Sequence, residues 1–144
     1  MEELKEDFIQ LNKALKTVAE ILSLHQELIS KKDEQFLEII EDSIIKRFEY
    51  TYETFWKFLK KYLETRLNLI DLNSPKKVFY ASVKAEACTL QEASIFINMA
   101  DNRNETAHKY NIEQARSVGS KVPLFYETMI AVTKRLGKTI DEGI

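Results

Sequence analysis

Apolar residues recur at alternating steps of four and three along the first part of the chain. They fall at Leu4, Phe8, Leu11, Leu15, Val18, Leu22 and Ile29, and His25 occupies the remaining slot. This spacing predicts one amphipathic helix from about residue 3 to residue 29. We interpret His25 as a packing residue, because no second His, Cys or paired carboxylate lies at metal-ligand spacing around it.

A second, longer helix is predicted after a polar break that ends at Asp33, which is the expected N-cap. It runs from about Glu34 to Leu67, which at ~1.5 Å per residue is on the order of 50 Å. Apolar and aromatic side chains form two stripes along it: Leu37, Ile40, Ile44, Phe48, Phe55, Phe58 and Tyr62 in one, and Ile45, Tyr52, Trp56, Leu59 and Leu63 in the other. One bundle core rarely covers so much of a helix, so we expect part of this surface to face another chain.

Polar residues and a proline typical of helix ends divide the second half of the chain into shorter helices. Ser74 and Pro75 suit the N-cap and first turn of a third helix that ends near Ala87. Thr89 and Glu92 have the spacing of a capping box, which opens a fourth helix.

The last part of the chain is predicted to be helical as well. Asn111 is the expected N-cap of a fifth stretch, and Gly119 and Pro123 are expected to bend or break it before residues 124–136 complete the fold. The elements together predict an all-α, up-and-down bundle of four or five helices with two long antiparallel helices. We expect one domain over residues 1–144.

Composition agrees with this class and limits the function. Only 3 Gly and 2 Pro occur, which is too few turn residues for an all-β protein of 144 residues. The formal net charge of -2 provides no general attraction to nucleic acid, so RNA binding would need a local basic cleft. The lone Cys88 cannot form an internal disulfide, and no apolar stretch approaches a membrane span or a signal peptide. We expect a cytoplasmic protein that needs no metal or cofactor, with Cys88 serving for packing.

A dense polar segment over residues 98–111 carries the candidate chemistry. Asp101, Asn104, Glu105 and His108 share one helical face, whereas Arg103 extends the apolar stripe of Phe96, Met99 and Ala100. A guanidinium on such a stripe is costly unless it reaches water or an anion. Arg103 and His108 are about 140° apart on an ideal helix, so the long arginine side chain or a helix end must bring them together. Asn104 is a direct neighbour of His108 and can orient its imidazole.

Three motifs together resemble a known family. Arg103-x4-His108, with the polar Asn104 after the arginine, resembles the R-x4-6-H signature of the HEPN superfamily. Phe48-Glu-Tyr-Thr-Tyr-Glu53 with Trp56, the Ser74-Pro75 pair, and the run from Asp101 to Tyr110 resemble its nucleotidyltransferase substrate-binding branch, which is related to the HepT toxins. The likeness covers roughly residues 5 to 135.

The resemblance implies a homodimer that lines one cleft with the motifs of both copies, and a minimal nucleotidyltransferase as partner. It implies metal-independent RNA cleavage in a toxin–antitoxin pair. His108 would act as base or acid, Arg103 would hold phosphate and Asn104 would support them. By position, Tyr110 would be the tyrosine to which the partner attaches AMP.

Other interpretations remain open at this point. The chain can be a non-catalytic accessory subunit that positions a substrate, RNA or nucleotide, for a nucleotidyltransferase. It can also be a purely structural helical dimer, in which Arg103, Asn104 and His108 form a polar network at a helix end. Tyr110 can likewise be a packing tyrosine.

Overall fold

The computed structural model describes residues 2–31, 33–108 and 111–142. Its helices are α1 (Glu2–Ile29), α2 (Glu34–Leu67), α3 (Pro75–Lys84), α4 (Leu90–His108) and α5 (Ile112–Glu142). No strand occurs within the described ranges. The all-α class predicted from the sequence is therefore confirmed.

Side-chain caps begin the helices where the sequence predicts. Asp33 accepts a hydrogen bond from the Phe36 N–H of α2, and Ser74 accepts one from the Lys77 N–H of α3. The remaining caps are the reciprocal Thr89–Glu92 capping box before α4 and Asn111, which accepts from the Glu113 and Gln114 N–H groups of α5. Each cap satisfies backbone donors that the first helical turn leaves unpaired.

The two long N-terminal helices are antiparallel, as predicted. Phe8 near the start of α1 packs on Phe58 near the end of α2, with ring centroids 5.9 Å apart. Farther along α1, the carbonyl of Thr17 accepts a hydrogen bond of 2.8 Å from Arg47 Nη1, earlier on α2. Residues later in α1 contact residues earlier in α2, so the two helices run in opposite directions.

Helix α2 contacts every other helix of the chain. Phe55 packs on Phe96 of α4 at 4.8 Å between ring centroids and also on Phe79 of α3, while Phe48 stacks on Phe125 of α5. The wide apolar surface of α2 is thus largely covered within one chain. Phe36, Ile39 and Tyr50 of α2 are exposed, so the expectation that part of this surface faces another chain stays a prediction.

Helix α5 is continuous through Pro123, so of the bend or break predicted at Gly119 and Pro123, the break does not occur. Proline removes one backbone donor and normally kinks or ends a helix. Here Val118, Val122 and Phe125 on either side are fully buried, so tertiary packing holds both halves in one helix.

The interior is apolar and contains the lone cysteine. Cys88 is buried, and desolvation raises the pKa of its thiol to about 12. A thiol with so high a pKa is a poor nucleophile near neutral pH, which agrees with a packing role. Among the helices described here, none combines the length and apolar character needed to cross a membrane.

Two glycines of α5 allow a matched test of packing between α1 and α5. A Cβ added at Gly137 would lie 2.5 Å from Phe8 Cζ, whereas one at Gly119 would lie 4.0 Å from its nearest neighbour, Ile45 Cδ1. We expect Gly137→Ala to lower the free energy of unfolding by about 1–3 kcal/mol through overpacking. Gly119→Ala should raise it by up to ~1 kcal/mol through helix propensity. Urea unfolding followed by circular dichroism measures both, and equal stability of the two variants would contradict the packing described.

Candidate functional site

Arg103 lies on α4 beside the buried Met99 and Ala100, where its helical position predicted it. Its side chain is 23% exposed, and its Nη1 lies 2.8 Å from Oε2 of Glu49 on α2, a carboxylate 27% exposed. The half-buried arginine therefore has an anionic partner within the chain. This pair joins the end of α4 to the middle of α2.

The ion pair leaves the guanidinium incompletely satisfied. Nε and Nη1 of Arg103 are buried, and neither donates a well-aligned hydrogen bond to any described residue, although Nη1 lies close to the Glu49 carboxylate. The contact is electrostatic rather than a bidentate fork. The side chain is still 23% exposed, so its accessible part can contact another oxyanion.

Tyr52 lies on α2 within the electrostatic reach of Arg103. Burial and the neighbouring Glu53 raise the pKa of its phenol well above the ordinary value, and the positive charge of Arg103 partly offsets this rise. Tyr52 is therefore a neutral, packed side chain at neutral pH. It is a residue of the core rather than a reactive group.

Neighbouring polar residues fix the same turn of α4. Asn102 is buried; its amide donates to the Asn98 carbonyl at 2.7 Å, and its Oδ1 accepts from Lys121 Nζ of α5 at 3.4 Å. Asp101 is exposed and pairs with Lys76 of α3 at 2.7 Å, which raises the pKa of that lysine. The turn of α4 that carries Arg103 is thus held in position by contacts to α2, α3 and α5.

The other predicted site residues are described only in part. Asn104 is exposed and next to Arg103 in sequence, and its side chain makes no hydrogen bond with a described residue. His108 is the last residue of α4, but its side chain lies outside the described residues, and so does Tyr110. The convergence of Arg103 with His108 therefore stays a prediction.

A pocket of about 300 Å³ lies where α2 faces the junction of α4 and α5. Four lining residues belong to α2 and four flank the junction: Asp42, Ile45, Lys46, Glu49, Thr106, Asn111, Gln114 and Ala115. Glu49 belongs both to this wall and to the ion pair with Arg103. The Arg103–Glu49 ion pair and the pocket therefore share one region.

Three functional candidates of this region were not singled out from the sequence. Glu49, Lys46 and Gln114 each appear in sequence as ordinary polar positions of a helix. Only Glu49 carried a recognisable signal, because it occupies the missing slot between Ile45 and Tyr52 in an apolar stripe of α2.

The chain resembles a crystal structure of a protein from Thermus thermophilus. The two are 33% identical, the match covers 88% of this chain and 98% of that one, and the TM-score is 0.72. No curated protein matches the chain at a significant level.

Residues 6–138 match the family described as nucleotidyltransferase substrate binding protein like. This range covers α2, α3 and α4 completely and most of α1 and α5, together with the ion pair and the pocket. It also includes all three motifs on which the resemblance was based. The chain belongs to the nucleotidyltransferase substrate-binding protein family.

Proposed function

We propose that this protein is the HepT-like partner of a minimal nucleotidyltransferase in a toxin–antitoxin pair, and that its homodimer cleaves RNA without a metal ion. The observation that carries the proposal is the environment of Arg103, a half-buried guanidinium whose side chain stays 23% exposed and whose partner Glu49 lines a pocket. Such a group suits the binding of a phosphate oxyanion. A cytoplasmic location is part of the proposal, in keeping with a single unpaired cysteine.

Cleavage by this route needs few groups. The RNA 2′-hydroxyl attacks the adjacent phosphorus, a base removes the hydroxyl proton, and an acid protonates the departing 5′-oxygen. The products are a 2′,3′-cyclic phosphate and a 5′-hydroxyl end. Arg103 stabilises the negative charge that develops on the phosphorane. Since one His108 cannot remove and donate a proton in the same step, the imidazoles of two protomers share the roles, and Asn104 orients them.

Tyr110 provides the point of control. The nucleotidyltransferase transfers AMP from ATP to the phenol oxygen, with release of pyrophosphate. The adduct adds bulk and negative charge two residues from His108. That charge competes with RNA phosphate for Arg103, so modification lowers cleavage.

A second function is supported by the Glu49–Arg103 pair. This carboxylate already neutralises the arginine, which weakens an RNA phosphate site. A non-catalytic accessory subunit that holds a substrate for the nucleotidyltransferase needs only the pocket and a surface for the partner. RNA cleavage by the isolated protein separates the two functions.

The chain has two histidines, which gives the catalytic proposal a matched control. With a labelled RNA in EDTA, we expect His108→Ala to lower the cleavage rate of the purified homodimer by at least ~100-fold, because general acid–base catalysis is lost. His25→Ala, which replaces a half-buried residue of α1, should cleave at the unaltered rate. If His108→Ala cleaves as fast as the unaltered protein, the catalytic proposal is wrong.

Exposed tyrosines elsewhere provide the corresponding control for Tyr110. Incubation with the partner nucleotidyltransferase and ATP should add AMP to the unaltered chain and to Tyr50→Phe and Tyr80→Phe, whose parent tyrosines are exposed. Tyr110→Phe should carry no adduct, because it lacks the acceptor oxygen. Peptide mass spectrometry locates the modification, and an adduct mapped to any other residue would end this part of the proposal.

A further inference from the structure

We infer that the pocket between α2 and the α4–α5 junction binds the nucleoside part of a nucleotide. The choice of ligand rests on the proposed function, since the partner enzyme handles nucleotides. The site itself rests on the geometry of this chain. Its volume of about 300 Å³ lies at the lower end of small-molecule sites, which suits one nucleoside with its phosphate at the rim.

The pocket walls provide the apolar surface and the polar group that together form a base-binding site. Ile45, nearly buried, and Ala115, half-buried, present apolar surface from α2 and α5. The half-buried Gln114 amide also lines the pocket and makes no side-chain hydrogen bond with a described residue. Apolar surface accommodates the face of a base, and a side-chain amide offers a donor and an acceptor to its edge.

Carboxylates on the α2 wall suit the sugar. Asp42 and Glu49 both line the pocket, and carboxylates accept hydrogen bonds from the hydroxyls of a ribose. Glu49 is additionally held by Arg103, so its orientation is fixed before a ligand arrives. Two acidic side chains disfavour a phosphate deep in the pocket, which directs that group outward.

Lys46 provides the cation for an outward phosphate. It is exposed, it lines the pocket between the two acidic positions of α2, and it forms no salt bridge with any residue in the described ranges. An unpaired ammonium at a pocket edge is available to an anionic ligand. The sugar and the phosphate thus meet groups of matching chemistry.

The larger cavities lack this combination. The groove of about 650 Å³ between α3 and α4 is lined by apolar and small side chains with Lys84 and Tyr80, and it has no carboxylate or amide. The cavity of about 430 Å³ between α1 and α2 contains the amide of Gln10 and a lysine, Lys60, that forms no salt bridge with a described residue, but Phe58 is its single apolar lining residue. Among the cavities compared, the junction pocket alone combines an unpaired cation and an amide with apolar side chains from two helices, Ile45 of α2 and Ala115 of α5.

The test is binding of AMP to the purified full-length protein, without partner or RNA, by isothermal titration calorimetry. Lys46→Ala and Gln114→Ala should each weaken AMP binding by about five- to tenfold through lost charge-assisted and base-edge contacts. The matched controls Lys134→Ala and Gln91→Ala replace exposed residues of the same types outside the pocket and should bind as the unaltered protein does. Adenosine should bind measurably and inorganic phosphate much more weakly than AMP.

The outcomes are distinct from those of the RNA experiment. No AMP binding, or equal weakening in the control variants, would overturn the nucleotide site while RNA cleavage by His108 stands. Phosphate binding as tightly as AMP would also overturn it, because the nucleoside would then contribute nothing. Specific AMP binding with no RNA cleavage would support the site and reject the ribonuclease.

Discussion

The ion pair between Glu49 and Arg103 fixes the position of the start of the functional segment of this chain. Both charged residues occupy positions on helix stripes that are otherwise apolar, so each is drawn toward the interior by its neighbours. Neither charge is tolerable there without the other, since a half-buried unpaired charge is costly. The pair therefore fixes the end of α4 against α2, and its Glu49 forms part of the wall of the pocket at the α4–α5 junction.

The helices were predictable because local signals marked their ends. Asp33, Ser74, Thr89 and Asn111 each cap the helix that the sequence predicted for them. The prediction of a break at Pro123 was wrong because the free-energy cost of proline acts locally on the helix, whereas the buried residues around it stabilise the helix through tertiary packing. The breadth of apolar surface on α2 is likewise a matter of tertiary packing. Periodicity shows how much of a helix is covered but does not show whether its own chain covers it.

The candidate site was predictable only in part. Arg103 stood out as a charge on an apolar stripe. Glu49 is also a charge on an apolar stripe, that of α2, so both residues of the pair could be identified from the sequence. The pocket was not. Lys46 and Gln114 lie on helices far apart in sequence, and only packing of α5 on α2 brings them to one cavity. No spacing rule within one helix relates such positions.

A double-mutant cycle on the free energy of unfolding tests this ion pair most directly. Using Glu49→Ala, Arg103→Ala and the double variant, we expect a coupling of roughly 1–2 kcal/mol, as both side chains are largely buried. The exposed Glu53–Lys57 pair of α2 should give less than about 0.5 kcal/mol in the same cycle. Additive effects of Glu49→Ala and Arg103→Ala would contradict the account.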